Sequence, residues 1–253
     1  MRPLAPLLGF AVALLTALPA MAAEFRVMTT GAPRKVVDMV AEKFAADTGH
    51  KAAFVQDTAG GVRRRIESGE ATDVVVATPE VLTALAAAGK IVPGSRIDFA
   101  TTGVGVGIKD GLPKPDISTV DAIKKLVADA PSIALPDPKA GGTSAVYIEG
   151  LFKRLGVAEV VNAKAKLKAG GYAADLVASG DAIIVFHQIS EIKPVKGVTL
   201  VGPLPAEIQL ITTYSAALST GAAADSPARA FLAAISGPAG RAAVESIGMD
   251  PPK

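Results

Sequence analysis

The 253-residue chain contains no cysteine, no tryptophan and only two histidines. Without a thiol there is no disulfide framework, no thiolate metal site and no cysteine nucleophile. His50 and His187 stand far apart, a poor start for a zinc site, so neither a bare metal ion nor a cofactor is expected. Aromatic residues are sparse, 8 Phe and 3 Tyr, which argues against a surface that stacks sugars or unpaired bases. No single sign of charge dominates either: 26 Lys and Arg face 24 Asp and Glu, for a net charge of +2. That balance leaves no footprint for nucleic acid, and no such partner is expected. The G-x-S-x-G, H-E-x-x-H and P-loop signatures are also missing.

What remains is a chain that is 50% hydrophobic, long enough for one large core or two lobes. Its first segment reads as an address. Arg2 precedes a mainly apolar run from Leu4 to Leu18, followed by Ala20-Met21-Ala22, a small-x-small cleavage pattern. Residues 1–22 are therefore expected to be a signal peptide. The run is shorter than the ~20 residues that span a bilayer, and Pro3, Pro6 and Pro19 interrupt it. With no cysteine for a lipid anchor, the mature protein is expected free in the periplasm, as a monomer.

Beyond residue 23 the chain alternates short apolar runs with helical patterns. Strands are expected at 25–28, 52–56 and 73–77, each followed by a helix, which argues for a parallel sheet with helices on its faces. Two long extended stretches, 97–108 and 207–218, lack a helical period. Between them lie further alternating elements, including a helix expected at 171–178 and a buried strand at 181–187. The expected fold class is α/β: two α/β lobes joined by two crossing strands, with 24–100 plus 215–253 in lobe 1 and 101–214 in lobe 2. Paired crossings of this kind permit closure of one lobe on the other.

The informative local signal is glycine before a helix. Ala59-Gly60-Gly61, Ala140-Gly141-Gly142 and Ala169-Gly170-Gly171 each precede an expected helix, and Thr29-Thr30-Gly31-Ala32 makes a fourth corner. In a parallel α/β sheet such corners gather at the carboxyl ends of the strands, where ligands bind. Helix N-termini there offer free N–H groups and a partial positive charge. Candidate ligand contacts are Thr30, Gly31, Ala32, Gly60, Gly61, Gly142, Thr143, Ser144, Gly171 and Tyr172, with His187 and Gln188 ending a strand. Arg63, Arg64 and Arg65 are expected mainly on the solvent face. Gly103-Val104-Gly105-Val106-Gly107 lacks the context of a dinucleotide fingerprint and reads as a crossing strand. Asp57, Asp137 and Glu191 read as solvated carboxylates.

The opening strand with its Thr29–Ala32 corner, Ile66-Glu67-Ser68-Gly69 before Asp73-Val74, Asp137-Pro138, Leu155-Gly156, Ile184-Val185-Phe186, and Gly237-Pro238 with Gly248 are scaffold marks. By them the mature chain resembles the periplasmic molybdate-binding proteins, within the type II periplasmic solute-binding proteins. The resemblance implies a two-lobed type II periplasmic binding fold that holds a small anion and docks on the permease subunits of an ABC importer. It also implies a serine hydroxyl at each of the first two corners. Here those positions fall at about Ala32 and Gly60, and the family's tyrosine falls at Phe186 or His187. The site is therefore divergent, and the expected guest is a molybdate- or tungstate-type oxyanion or a small carboxylate, bound without reaction. The alternative is a secreted enzyme on the same fold, with His187 and a nearby carboxylate as general base. Mass spectrometry of the exported protein should find an N-terminus at Ala23; Met1 on the mature chain would refute cleavage.

Overall fold

The computed structural model describes residues 22–223 and 226–252; the expected signal peptide lies outside them but for its last residue. The chain opens β1(Glu24–Thr30), α1(Arg34–Thr48), β2(Lys51–Asp57), α2(Ala59–Glu67), β3(Val74–Ala77) and α3(Pro79–Ala87). These are the three expected β-then-α units, and β1 pairs in parallel with both β2 and β3. Helix α1 shows why the pattern was readable: Val36, Val37, Val40, Ala41 and Phe44 form one buried stripe, and Gly49 at φ 79° ends it. Strand β4(Ile97–Lys109) then leaves this unit. Beyond it come α4(Val120–Asp129), β5(Ile133–Pro136), α5(Thr143–Arg154), α6(Ala158–Asn162), β6(Ala165–Lys168), α7(Asp175–Ala178), β7(Ile184–Gln188), α8(Ile189–Ile192) and β8(Val198–Pro203). Strand β9(Ile211–Leu218) returns, and α9(Ala228–Ser236) and α10(Pro238–Ser246) close the chain against α1.

The strands form one hydrogen-bonded path, β2-β1-β3-β9-β4-β7-β5-β6, with β8 attached to β4. Along β4 the partner changes. Residues 97–103 pair with β9, whereas Val104–Ile108 pair with β7. The two α/β lobes of the type II fold meet there, each with its own apolar core. Phe25, Phe44 and Phe231 pack at 5.0–5.9 Å in the first, and Phe152 meets Phe186 edge-on at 5.2 Å in the second.

A change of partner leaves backbone groups to satisfy, and Gln209 satisfies them. Its Oε1 accepts from Val104 N at 2.8 Å, and its Nε2 donates to Val104 O at 3.0 Å. Immediately beyond, Gly105 and Gly107 allow close packing. A Cβ on Gly105 would lie 2.8 Å from an Ile189 carbon, and one on Gly107 would lie 2.6 Å from Ile192. The glycine alternation that resembled a nucleotide motif is thus the bed on which α8 rests.

Two expected elements differ. The helix at 171–178 shrinks to the four residues of α7, because Gly171 adopts φ 68° and the chain turns before it coils. The stretch from 207 is not extended throughout: a 3₁₀ turn at Ala206–Ile208 precedes β9. Replacing Gln209 by Ala should strand the Val104 N–H, while the Val104 carbonyl keeps its bond from Leu204 N at 3.0 Å, and cost about 1–3 kcal/mol. At roughly 2–4 °C per kcal/mol, thermal denaturation should show a visible drop; an unchanged midpoint would refute the role.

Candidate functional site

The carboxyl ends of the strands surround a cavity of about 160 Å³. All four glycine corners contribute to its wall. Thr30, Gly31 and Ala32 line it from the first corner, Ala59 from the second, Ala140 and Gly142 from the third, and Ala169, Gly170 and Gly171 from the fourth. Thr143, Ser144, His187 and Gln188 line it as well. Three expected contacts are not among the lining residues: Gly60, Gly61 and Tyr172.

The physical reason is plain for the two glycines. Thr58 caps α2, its Oγ1 accepting from Gly61 N at 3.1 Å, so that N–H is already occupied. Gly60 N donates across the cleft to Gly141 O at 3.4 Å, and the Thr58 hydroxyl donates to Ala140 O at 2.5 Å. The N-terminus of α2 thus serves the opposite lobe rather than a guest. Tyr172, expected in a helical first turn, instead lies in the bend before α7.

Helix α5 behaves differently. Gly142 precedes it without a side-chain cap, and the N–H groups of Thr143, Ser144 and Ala145 find no carbonyl partner. All three residues line the cavity. The hydroxyls of Thr143 and Ser144 do not cap the helix, which leaves the positive end of a 12-residue helix open to a negatively charged guest. Across the cavity, Thr30 Oγ1 is buried and has no hydrogen-bond partner.

In the second half of the site His187 and Gln188 were expected, and His187 with a nearby carboxylate was the alternative reading, but the burial of that carboxylate was not foreseen. Glu191, read as a solvated carboxylate, is 7% exposed. The cause is α8, too short to show a period in the sequence, which turns directly out of β7 and places Glu191 one turn beyond His187. Glu191 Oε2 lies 3.0 Å from His187 Nδ1, an approach too oblique for a hydrogen bond. Nδ1 is shut in against the carboxylate, so Nε2 is the ring nitrogen left to the cavity that His187 lines. Beneath them, the buried Tyr214 hydroxyl donates to Gln188 Oε1 at 2.7 Å, and Gln188 Nε2 reaches Thr212 Oγ1 at 3.2 Å. Burial and, next, the nearby Glu191 charge push the phenols of Tyr214 and Tyr172 well above their usual range. Both keep their protons at neutral pH.

The wall is not the uncharged cage of amides that the glycine corners imply. Asp57, Asp137 and Glu191 put three carboxylates in the lining, against Lys168 as the one permanent cation among the described lining residues. Asp57 Oδ1 accepts from Thr58 N at 2.7 Å and Oδ2 stands 3.6 Å from Arg65, while Asp137 Oδ1 accepts from Lys139 N at 2.9 Å. These two carboxylates are engaged in holding their own loops. Among the described residues, no group of three His, Cys, Asp or Glu side chains is disposed to hold a metal ion.

A Cβ at position 31 would lie 2.5 Å from Glu191 Oε1, so a larger residue there would force the carboxylate to shift. Gly31→Ala and Glu191→Ala should therefore be coupled, the first costing less once the carboxylate is gone. A coupling energy of about 0.5–3 kcal/mol is expected from urea denaturation of the double-mutant cycle. Additivity would mean that the two do not touch.

Comparison with known proteins bears on both halves of this site. Residues 25–250 match the family model described as bacterial extracellular solute-binding protein. The periplasmic molybdate-binding protein of Azotobacter vinelandii has a similar structure, with TM-score 0.76 at 22% identity over 90% of this chain and 100% of that one. The sulfate-binding protein of Mycobacterium tuberculosis superposes with TM-score 0.68 at 18% identity, over 90% of this chain and 87% of that one. An aconitate isomerase of a Pseudomonas species is 31% identical over 261 residues, which take in 99% of this chain and 98% of that protein. The expectation of a protein that performs no reaction is corrected by that relative, an enzyme aligned along nearly the whole chain. By fold, and by a family match over residues 25–250, the protein belongs to the bacterial extracellular solute-binding proteins, a periplasmic binding protein of the molybdate-binding type II fold.

Proposed function

We propose that the protein is an exported isomerase of a small unsaturated polycarboxylate, aconitate or a near analogue. The observation that carries the reading is the buried His187–Glu191 pair, which lines the same cavity as the open N-terminus of α5. The Pseudomonas relative supports it.

Aconitate has a methylene between a carboxylate and a carbon–carbon double bond. A base removes a methylene proton and the electron pair spreads over three carbons. Returning the proton to the former vinyl carbon moves the double bond and exchanges cis for trans geometry. Nothing is oxidised or reduced. His187 Nε2 is the base, because the imidazole lines the cavity beside the Glu191 carboxylate, whereas Lys168 stands two strands away and the Tyr214 phenol is locked to Gln188. Glu191 steadies the imidazolium that forms. The charge that builds on the substrate carboxylates is met by the free amides of Thr143, Ser144 and Ala145 and by the unpartnered Thr30 hydroxyl, preorganised donors that need not rearrange as it develops. The dyad's place at the junction of the lobes, bounded near residues 100 and 214, makes closure of one lobe on the other the step that excludes water.

A second reading is favoured by the family match: the protein holds a molybdate- or tungstate-type oxyanion or a small carboxylate and delivers it, as a periplasmic monomer, to ABC importer permeases. The same donors would serve. One experiment separates the two. Purified mature protein is mixed with cis-aconitate in D₂O and followed by proton NMR. Appearance of the trans isomer, with His187→Asn lowering kcat about 10²–10⁴-fold while aconitate still binds, is the expected result. Binding without conversion would overturn the isomerase and leave the carrier.

A further inference from the structure

We infer that Lys168 is the specificity-determining residue of this cavity, taking the carboxylate of the guest that lies farthest from His187 and leaving Asp175 to do so. The inference rests on the polycarboxylate reading above and extends it to a choice between tricarboxylates and dicarboxylates.

The argument begins with strand register. Strand β5 lies between β6 and β7, with Pro136 opposite Lys168 on one side. On the other side Ala134 is opposite Val185, so continuing the parallel ladder by two residues brings Pro136 level with His187. Lys168, Pro136 and His187 therefore stand abreast at the carboxyl ends of three neighbouring strands, and all three line the cavity. Two strand spacings separate the lysine from the histidine, about 10 Å between their backbones. A guest with its reacting carbon at His187 extends toward Lys168, and only an acidic group at that end would find a cation.

Lysine is also free to move. Its Nζ holds Asp175 Oδ2 at 2.8 Å, but the two side chains are 31% and 50% exposed. Such a pair adds little to stability, so exchanging Asp175 for a guest carboxylate sacrifices little. The lysine emerges from the edge strand β6 beside the bend at Gly171, where φ is 68° and a Cβ would lie 3.4 Å from Lys168 Cε. The absence of a side chain there leaves the lysine stem room to swing. Asp57, Asp137 and Glu191, the acidic groups of the lining, repel any guest carboxylate not met by a donor, which sharpens the choice.

The test is calorimetric binding of trans-aconitate and of itaconate, which keeps the methylene and its carboxylate but has a hydrogen where aconitate has its vinyl carboxylate. Lys168→Met should weaken trans-aconitate binding roughly 10- to 100-fold and leave itaconate within about 2-fold. Asp175→Asn frees the lysine and should tighten trans-aconitate binding, a gain that loss of a merely structural ion pair would not produce. Equal weakening of both ligands in Lys168→Met, or weaker trans-aconitate binding in Asp175→Asn, would overturn the inference while the polycarboxylate reading stands. Wild-type protein that binds neither ligand would overturn both.

Discussion

The site depends on how closely α8 approaches β4. Gly105 and Gly107 leave no side chain between them, so Ile189 and Ile192 settle against the strand backbone and Glu191 is drawn inward between the lobes. A larger residue at either glycine would lift the helix and carry the carboxylate away from His187. From that one contact follow the burial of Glu191, its position beside the imidazole, and its close approach to Gly31 on the opposite corner.

The two lobes contribute unlike chemistry. The second supplies an uncapped helix terminus, a lysine and the buried His187–Glu191 pair; the first supplies a hydroxyl and a glycine corner. A carrier needs hydrogen-bond donors, and the imidazole beside a carboxylate is more than that. Under the proposed reading the step from carrier to catalyst on one scaffold is short: donors that hold an anion also stabilise negative charge as it builds, and a base beside them would turn binding into proton transfer.

Much of the architecture could be read from the residues. The stripe in α1, the glycine stops and the β-then-α order each report a local preference that the tertiary fold retains. The glycine corners likewise converge on one cavity. Other features were illegible for definite reasons. Four residues of α8 are too few for a hydrophobic period, and so Glu191 looked like surface. The corner at 169–171 resembled the others, yet Gly171 bends the chain away from a helix. Gly60 and Gly61 have the composition of an anion-binding corner, but their amides are occupied by Gly141 and Thr58, a fact of three-dimensional pairing that no single stretch encodes.

The hydrogen bonds from Thr58 to Ala140 and from Gly60 to Gly141 have a kinetic meaning. They lash one rim of the cleft to the other through main-chain acceptors. Both tethers must part for that rim to swing wide, so release of anything held there carries the cost of breaking them as well as the cost of leaving the site.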